Sequence, residues 1–217
     1  MSTNTAPITP TPPATHWTRR ASLRVAAGTF GLLGVVGAGV SIASEAESSP
    51  YPLTVTVDVA EDGTRFVFDE APVFDDGAPA FGNPFVTQGY IYPAGTLTDS
   101  NGVNPDGSPE FPDEVIGEWS CRGYFIGEGG HSTEGAWVFT TQLFAFGAHA
   151  DTGAETIVVT GYEGVEPGVA VSGAITGGTG SYAAASGEAS QTLLGFNNPD
   201  DPTMGINKTV ELELVHP

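Results

Sequence analysis

Leu53 to Ala60 alternates without a break, with Leu53, Val55, Val57 and Val59 on one face and Thr54, Thr56 and Asp58 on the other. A period of two belongs to a strand with one buried face and excludes an amphipathic helix, whose period is 3.6. Val210, Leu212 and Leu214 repeat the pattern against Thr209, Glu211 and Glu213 near the other end. Between them, 30 Gly and 17 Pro over the whole chain punctuate short β-branched and aromatic runs. These runs predict strands at 65–68, 85–92, 115–126, 136–146, 156–162, 169–176 and 186–194. The connectors are turn dipeptides such as Asp62-Gly63, Asp76-Gly77, Asn101-Gly102 and Asp106-Gly107. Seven to nine strands with hairpin-length links predict an all-β fold, either a sandwich or a closed antiparallel barrel. Apolar residues on both faces of 136–146 require cover on each side, from a barrel interior and from a subunit interface or second layer.

The N-terminus reads differently. Thr18-Arg19-Arg20-Ala21-Ser22-Leu23-Arg24 resembles a twin-arginine export motif, and a Gly-diluted apolar stretch runs from Val25 to Ala43. The expected organisation is a signal segment over 1–46, followed by a single domain over 47–217. Ala43 and Ala46 offer cleavage points, while an uncleaved membrane tether is the alternative reading. Either way the expected location is outside the cytoplasm.

Beyond residue 46 only Arg65, Arg122 and Lys208 are basic, against 25 acids, a net charge of −22. Such a surface argues against nucleic acid and anionic membranes as partners, and it resembles proteins that stay hydrated in concentrated salt. A single Cys, Cys121, excludes an internal disulfide. No His pair has metal-ligand spacing, so neither a metal nor a cofactor is expected. Asp99 to Gly107 departs from a calcium loop at Val103 and reads better as a long hairpin turn. Asn207-Lys208-Thr209 is an N-glycosylation sequon.

Ala174-Ile175-Thr176-Gly177-Gly178-Thr179-Gly180-Ser181-Tyr182, running on to Gly187 and Ala189, resembles a segment shared by plant allene oxide cyclases and dirigent proteins. It reads as a strand, a Gly-rich tight turn and a second, crowded strand. Val115 to Tyr124 resembles that superfamily's strand opening on a Val-Gly pair, Pro84-Phe85 resembles a pair in the cyclases, and Val210 to His216 resembles the closing strand of dirigent proteins. The resemblance is co-linear over roughly residues 80–216.

It implies an eight-stranded antiparallel barrel with an apolar interior, commonly oligomeric. It further implies a hydrophobic small molecule in the lumen, either steered through a coupling without covalent catalysis or cyclised by an isomerase. Trp119, Cys121, Phe125, Tyr90 and Tyr162 are the candidate cavity walls. For cyclase chemistry Glu61 or Asp62 is the candidate carboxylate, and Thr87 or Gln88 the candidate water holder; the Asn of the cyclases is absent after Phe85-Val86. A solidly packed surface module is the third reading.

Overall fold

In the computed structural model the described residues are 52–98, 101–147, 154–197 and 205–215. All lie in the compact unit Ala46–Pro217. The signal segment with its cleavage points, His149, His216 and the turn at Asp151 lie outside them.

Nine strands are present: β1 (Leu53–Glu61), β2 (Val67–Phe68), β3 (Pro84–Pro93), β4 (Gly117–Phe125), β5 (Ala136–Phe146), β6 (Glu155–Gly164), β7 (Ala170–Thr179), β8 (Ser186–Phe196) and β9 (Ile206–Val215). Each of β3 to β9 pairs antiparallel with its neighbour in sequence, β9 returns to β1, and β1 closes on β3. The result is a closed eight-stranded barrel, with the two-residue β2 appended to β3. Closure satisfies the ladder groups that an open sheet leaves as unpaired edges. The one remaining edge strand is too short to template aggregation. At the closure Gly89 faces Glu61, and a Cβ on Gly89 would meet the Ala60 carbonyl oxygen. Glycine is what lets β1 and β3 come together there.

Several expected bounds shift. The run 65–68 is a strand only at Val67–Phe68, because Gly63–Arg65 winds into a 3-10 turn capped by Asp62. The Gly-rich turn after Ile175 starts later than expected. Gly177 to Thr179 continue β7 past a bulge opposite Val158/Val159, and the turn is Gly180–Tyr182. Asp76-Gly77 and Asp106-Gly107 do sit at hairpin tips, inside the Val73–Pro79 and Val103–Pro109 bridges, with both glycines at positive φ.

The interior follows from the alternation. Val57 and Val59 of β1, Ile91 of β3, Phe144 of β5, Ile157 and Val159 of β6, and Val210, Leu212 and Leu214 of β9 all point inward and are buried. At one end Tyr182 packs across Phe146, ring centroids 5.6 Å apart, over the core. Outside the barrel, Val67, Val86, Tyr124, Phe139 and Tyr162 are exposed, which is the second apolar face of the middle strands. Among the described residues no helix is long and apolar enough to cross a membrane.

Candidate functional site: a cleft over a polar lumen

The middle of the lumen is polar. Lys208 of β9 keeps the inward parity of Val210 and Leu212, so its ammonium is carried into the core at 2% exposure. Its Nζ donates to Glu163 Oε2 at 2.7 Å, Gln142 Oε1 at 2.8 Å and Gln191 Oε1 at 3.1 Å. It also stands 4.4 Å from the Trp119 ring centroid, a cation–π contact. Trp119 Nε1 donates to Gln142 Oε1 at 3.0 Å, and Gln142 Nε2 donates to Gln191 Oε1 at 2.8 Å. The Cys121 thiol completes the set by donating to Glu163 Oε1 at 3.6 Å. A buried ammonium is tolerated only with such a full complement of partners.

Glu61 closes β1 on the same inward face as Val57 and Val59, and it is buried. One carboxylate oxygen accepts from the Ile206 backbone N–H at 2.9 Å. Burial pushes its pKa up; the Thr87 hydroxyl and the Ile206 N–H oppose this in part, Glu163 adds to the rise and Lys208 counters it. Burial likewise drives the Cys121 thiol well above its ordinary value, with Glu163 reinforcing the shift. Cys121 is therefore a thiol in the folded protein and a poor nucleophile.

Above Glu61 the barrel opens. A cleft of about 440 Å³ is walled by Phe66, Phe125, Trp137, Phe196 and Ile206, with Glu61 at its floor. A narrow extension of about 30 Å³ leads inward past Thr87, Trp119 and Cys121 to Glu163. That volume holds roughly one or two waters. Trp137 reaches the cleft because the β5–β6 register slips between Ala136 and Val138, a bulge that re-aims the indole. The ring meets Phe125 edge-on at 5.8 Å. The rim is formed by the 72–80 hairpin and the 129–132 turn. Gly130 N donates to Pro79 O at 2.8 Å, and His131 stacks on Phe74 at 4.1 Å while contacting Asp76 Oδ2 at 2.8 Å.

Of the residues singled out in the sequence, Glu61, Thr87, Trp119, Cys121 and Phe125 converge on this cleft and its extension. Four do not. Tyr90 pairs with Glu118 across the β3–β4 ladder and shares its outward face, donating to Gly107 O at 2.7 Å beneath the 101–110 hairpin. Tyr162 pairs with Phe139 on the outer face of β5 and β6 and is 52% exposed. Gln88 also points outward, donating to Ser120 Oγ at 3.2 Å and accepting from Arg65. Asp62 is buried but faces the Gly63–Arg65 turn, accepting from Thr64 and pairing with Arg65 at 3.1 Å. The sequence reading missed Lys208, Glu163, Gln142, Gln191 and Trp137. Parity along β5, β6, β8 and β9 could have found the first four, whereas nothing in the sequence marks the bulge at Trp137.

A separate groove of about 610 Å³ lies outside the barrel among Val67, Val86, Arg122, Tyr124 and Phe139. Among the described residues no group of three or more His, Cys, Asp or Glu is placed to hold a metal.

No family model matches the sequence, and no curated protein sequence matches it either. Solved structures do. The pterocarpan synthase dirigent protein PsPTS1 superposes with a TM-score of 0.54 at 16% identity, covering 76% of this chain and 94% of that one. The pterocarpan synthase dirigent protein GePTS1 superposes with a TM-score of 0.52 at 16% identity, covering 76% of this chain and 84% of that one. With closure through β1 and β3 and an unbroken antiparallel order, the fold of this chain is a barrel of the dirigent type.

Proposed function

We propose that this is an exported barrel protein that binds a hydrophobic small molecule in the cleft at the Glu61 end of its lumen. It holds a reactive or labile molecule in one orientation without covalent catalysis. The observation that carries this reading is the cleft, about 440 Å³, lined by aromatic and aliphatic side chains around one buried carboxyl. Small-molecule sites run roughly 300–1,000 Å³ and combine apolar walls with few polar groups. The polar network below limits how deep a ligand can go, so the occupant sits at the mouth rather than along the whole lumen.

A second reading, an isomerase that closes a reactive intermediate, is favoured by Glu61 itself. A carboxyl whose pKa is raised can hold or deliver a proton at the cleft floor, and Thr87 stands beside it to hold a water. The third reading, a packed surface module, draws on the filled centre of the barrel. Twin-arginine export belongs to the proposal and rests on Arg19-Arg20 and the apolar stretch that follows. So does a second copy of the chain over the exposed band of Val86, Tyr124, Phe139 and Tyr162, which light scattering in high salt would reveal as an oligomer and contradict as a monomer.

The test of binding is native mass spectrometry of protein purified from its own host at high salt, together with melting curves against a lipid and phenolic panel. A ligand at about a hundred times its Kd stabilises by about 2.7 kcal/mol. A bound small molecule, or a melting shift of that size, supports the reading. Bare protein and an unmoved melting curve across the panel overturn it.

A further inference from the structure

The charges around the cleft are one-sided. Its lining includes five aromatic side chains, Phe66, Phe68, Phe125, Trp137 and Phe196, two acids, Glu61 and Asp76, and no Lys, Arg or His. The three basic residues beyond position 46 are all placed elsewhere. Arg65 pairs with Asp62, Arg122 points outward into the outer groove, and Lys208 is held by Glu163 and two amide oxygens. Glu61 is 6% exposed, and among the described residues no cationic side chain lies within ion-pair distance of it. The Trp137 indole N–H is also buried without an acceptor among the described residues.

We infer that the cleft selects an organic cation: an aromatic or aliphatic amine or quaternary ammonium that also carries an oxygen acceptor. This inference rests on the cleft being a ligand site. A positive head over the Glu61 carboxylate supplies a direct counter-charge, where Lys208, held by Glu163, acts only from a distance. Aromatic faces on several sides attract the same head through their negative quadrupoles. The acceptor answers the Trp137 N–H. An anionic ligand, such as a fatty-acid carboxylate, meets the Glu61 and Asp76 carboxyls, and the one basic group at the rim, His131, is already paired with Asp76. Binding also favours the charged form of Glu61 over the neutral one. Burial dominates this titration, and the groups that face Glu61 are the Thr87 hydroxyl on β3, the Ile206 N–H and Lys208 on β9, and Glu163 on β6, with the Cys121 thiol on β4 lining the same extension.

Three probes of one shape separate the possibilities: a methoxynaphthylmethyl-trimethylammonium salt, its neutral tert-butyl isostere, and methoxynaphthylacetate. Affinities are measured calorimetrically in about 0.5 M salt, where screening suppresses loose attraction to the acidic surface but leaves a buried pair largely intact. The cation is expected to bind at least about tenfold tighter than the neutral isostere, a margin of about 1.4 kcal/mol, with the anion weakest. The margin shrinks as pH falls through the titration of Glu61. Glu61→Gln cuts the margin of the cation over the neutral isostere to within about threefold. Should Glu61→Gln fail to fold, Trp137→Phe carries the test, weakening the cation several-fold more than the neutral probe. Equal binding of cation and neutral isostere overturns the cation inference and leaves the cleft as a ligand site. Binding of none of the three, with no melting shift across the wider panel, overturns both.

Discussion

Lys208 Nζ lies 2.7 Å from Glu163 Oε2 in the centre of the barrel, with both side chains withdrawn from water. Two strands far apart in sequence, β9 and β6, meet there through charge rather than through hydrocarbon. Two amide side chains and an indole bind the pair into one unit.

Removing one charge leaves the other buried and unpaired. Lys208→Met is expected to cost about 3–5 kcal/mol, which for a domain of this size lowers the melting temperature by roughly 10 °C. The double variant Lys208→Met with Glu163→Gln recovers much of that loss. Chemical denaturation of the two single variants and the double checks it. Strict additivity would show that the pair is not coupled.

Glu61 makes stability depend on pH in an unusual direction for a carboxyl. Its folded pKa is raised above the ordinary 4.5. The fold therefore prefers the protonated form, a contribution fully present below the unfolded value and lost as pH rises through the folded one. Glu61→Gln abolishes that loss. Relative to the wild type it gains stability at neutral pH, and the gain fades as pH falls below about 4.5. Unfolding free energies measured against pH for both proteins decide the matter, and a gain that grows on acidification would reverse the assignment.

Cys121 is buried and its thiol is held protonated. In the native protein it should resist a thiol-specific reagent, and in denaturant it should react with one equivalent. Rapid labelling of the folded protein would place it outside the core.

Gly89 is where the barrel closes against Ala60 and Glu61. Gly89→Ala forces a methyl into backbone that cannot yield cheaply, so a loss of about 3 kcal/mol or more is expected. Gly77→Ala, at the rim with open space around it, pays only for its positive φ, of order 1 kcal/mol. Melting curves compare the two, and equal losses would argue that closure at Gly89 is slack.

Much of this architecture was legible in the sequence. The alternation of β1 and β9 marked two strands whose inner faces the structure reproduces residue by residue, and the parity of Trp119, Cys121 and Phe125 put them in the lumen. The same rule, carried two residues back from Val210, puts Lys208 inside. The sequon reading of Asn207-Lys208-Thr209 carries no information about which face Lys208 takes, and both Asn207 and Lys208 are buried. Tyr90 and Tyr162 were misplaced: they look like cavity walls, yet cross-strand pairing with Glu118 and Phe139 sends them outward. Trp137 was beyond reach, since a bulge overrides parity and leaves no signature of its own.

The most direct test maps where a ligand lands. Amide and indole NMR shifts would be followed while hydrophobic small molecules, cationic, neutral and anionic, are titrated into the protein. The account predicts perturbations gathered at Phe66, Phe125, Ile206 and the Trp137 indole N–H, with Val86, Tyr124 and Phe139 unmoved. Shifts confined to the outer face, or none with any probe, would contradict it.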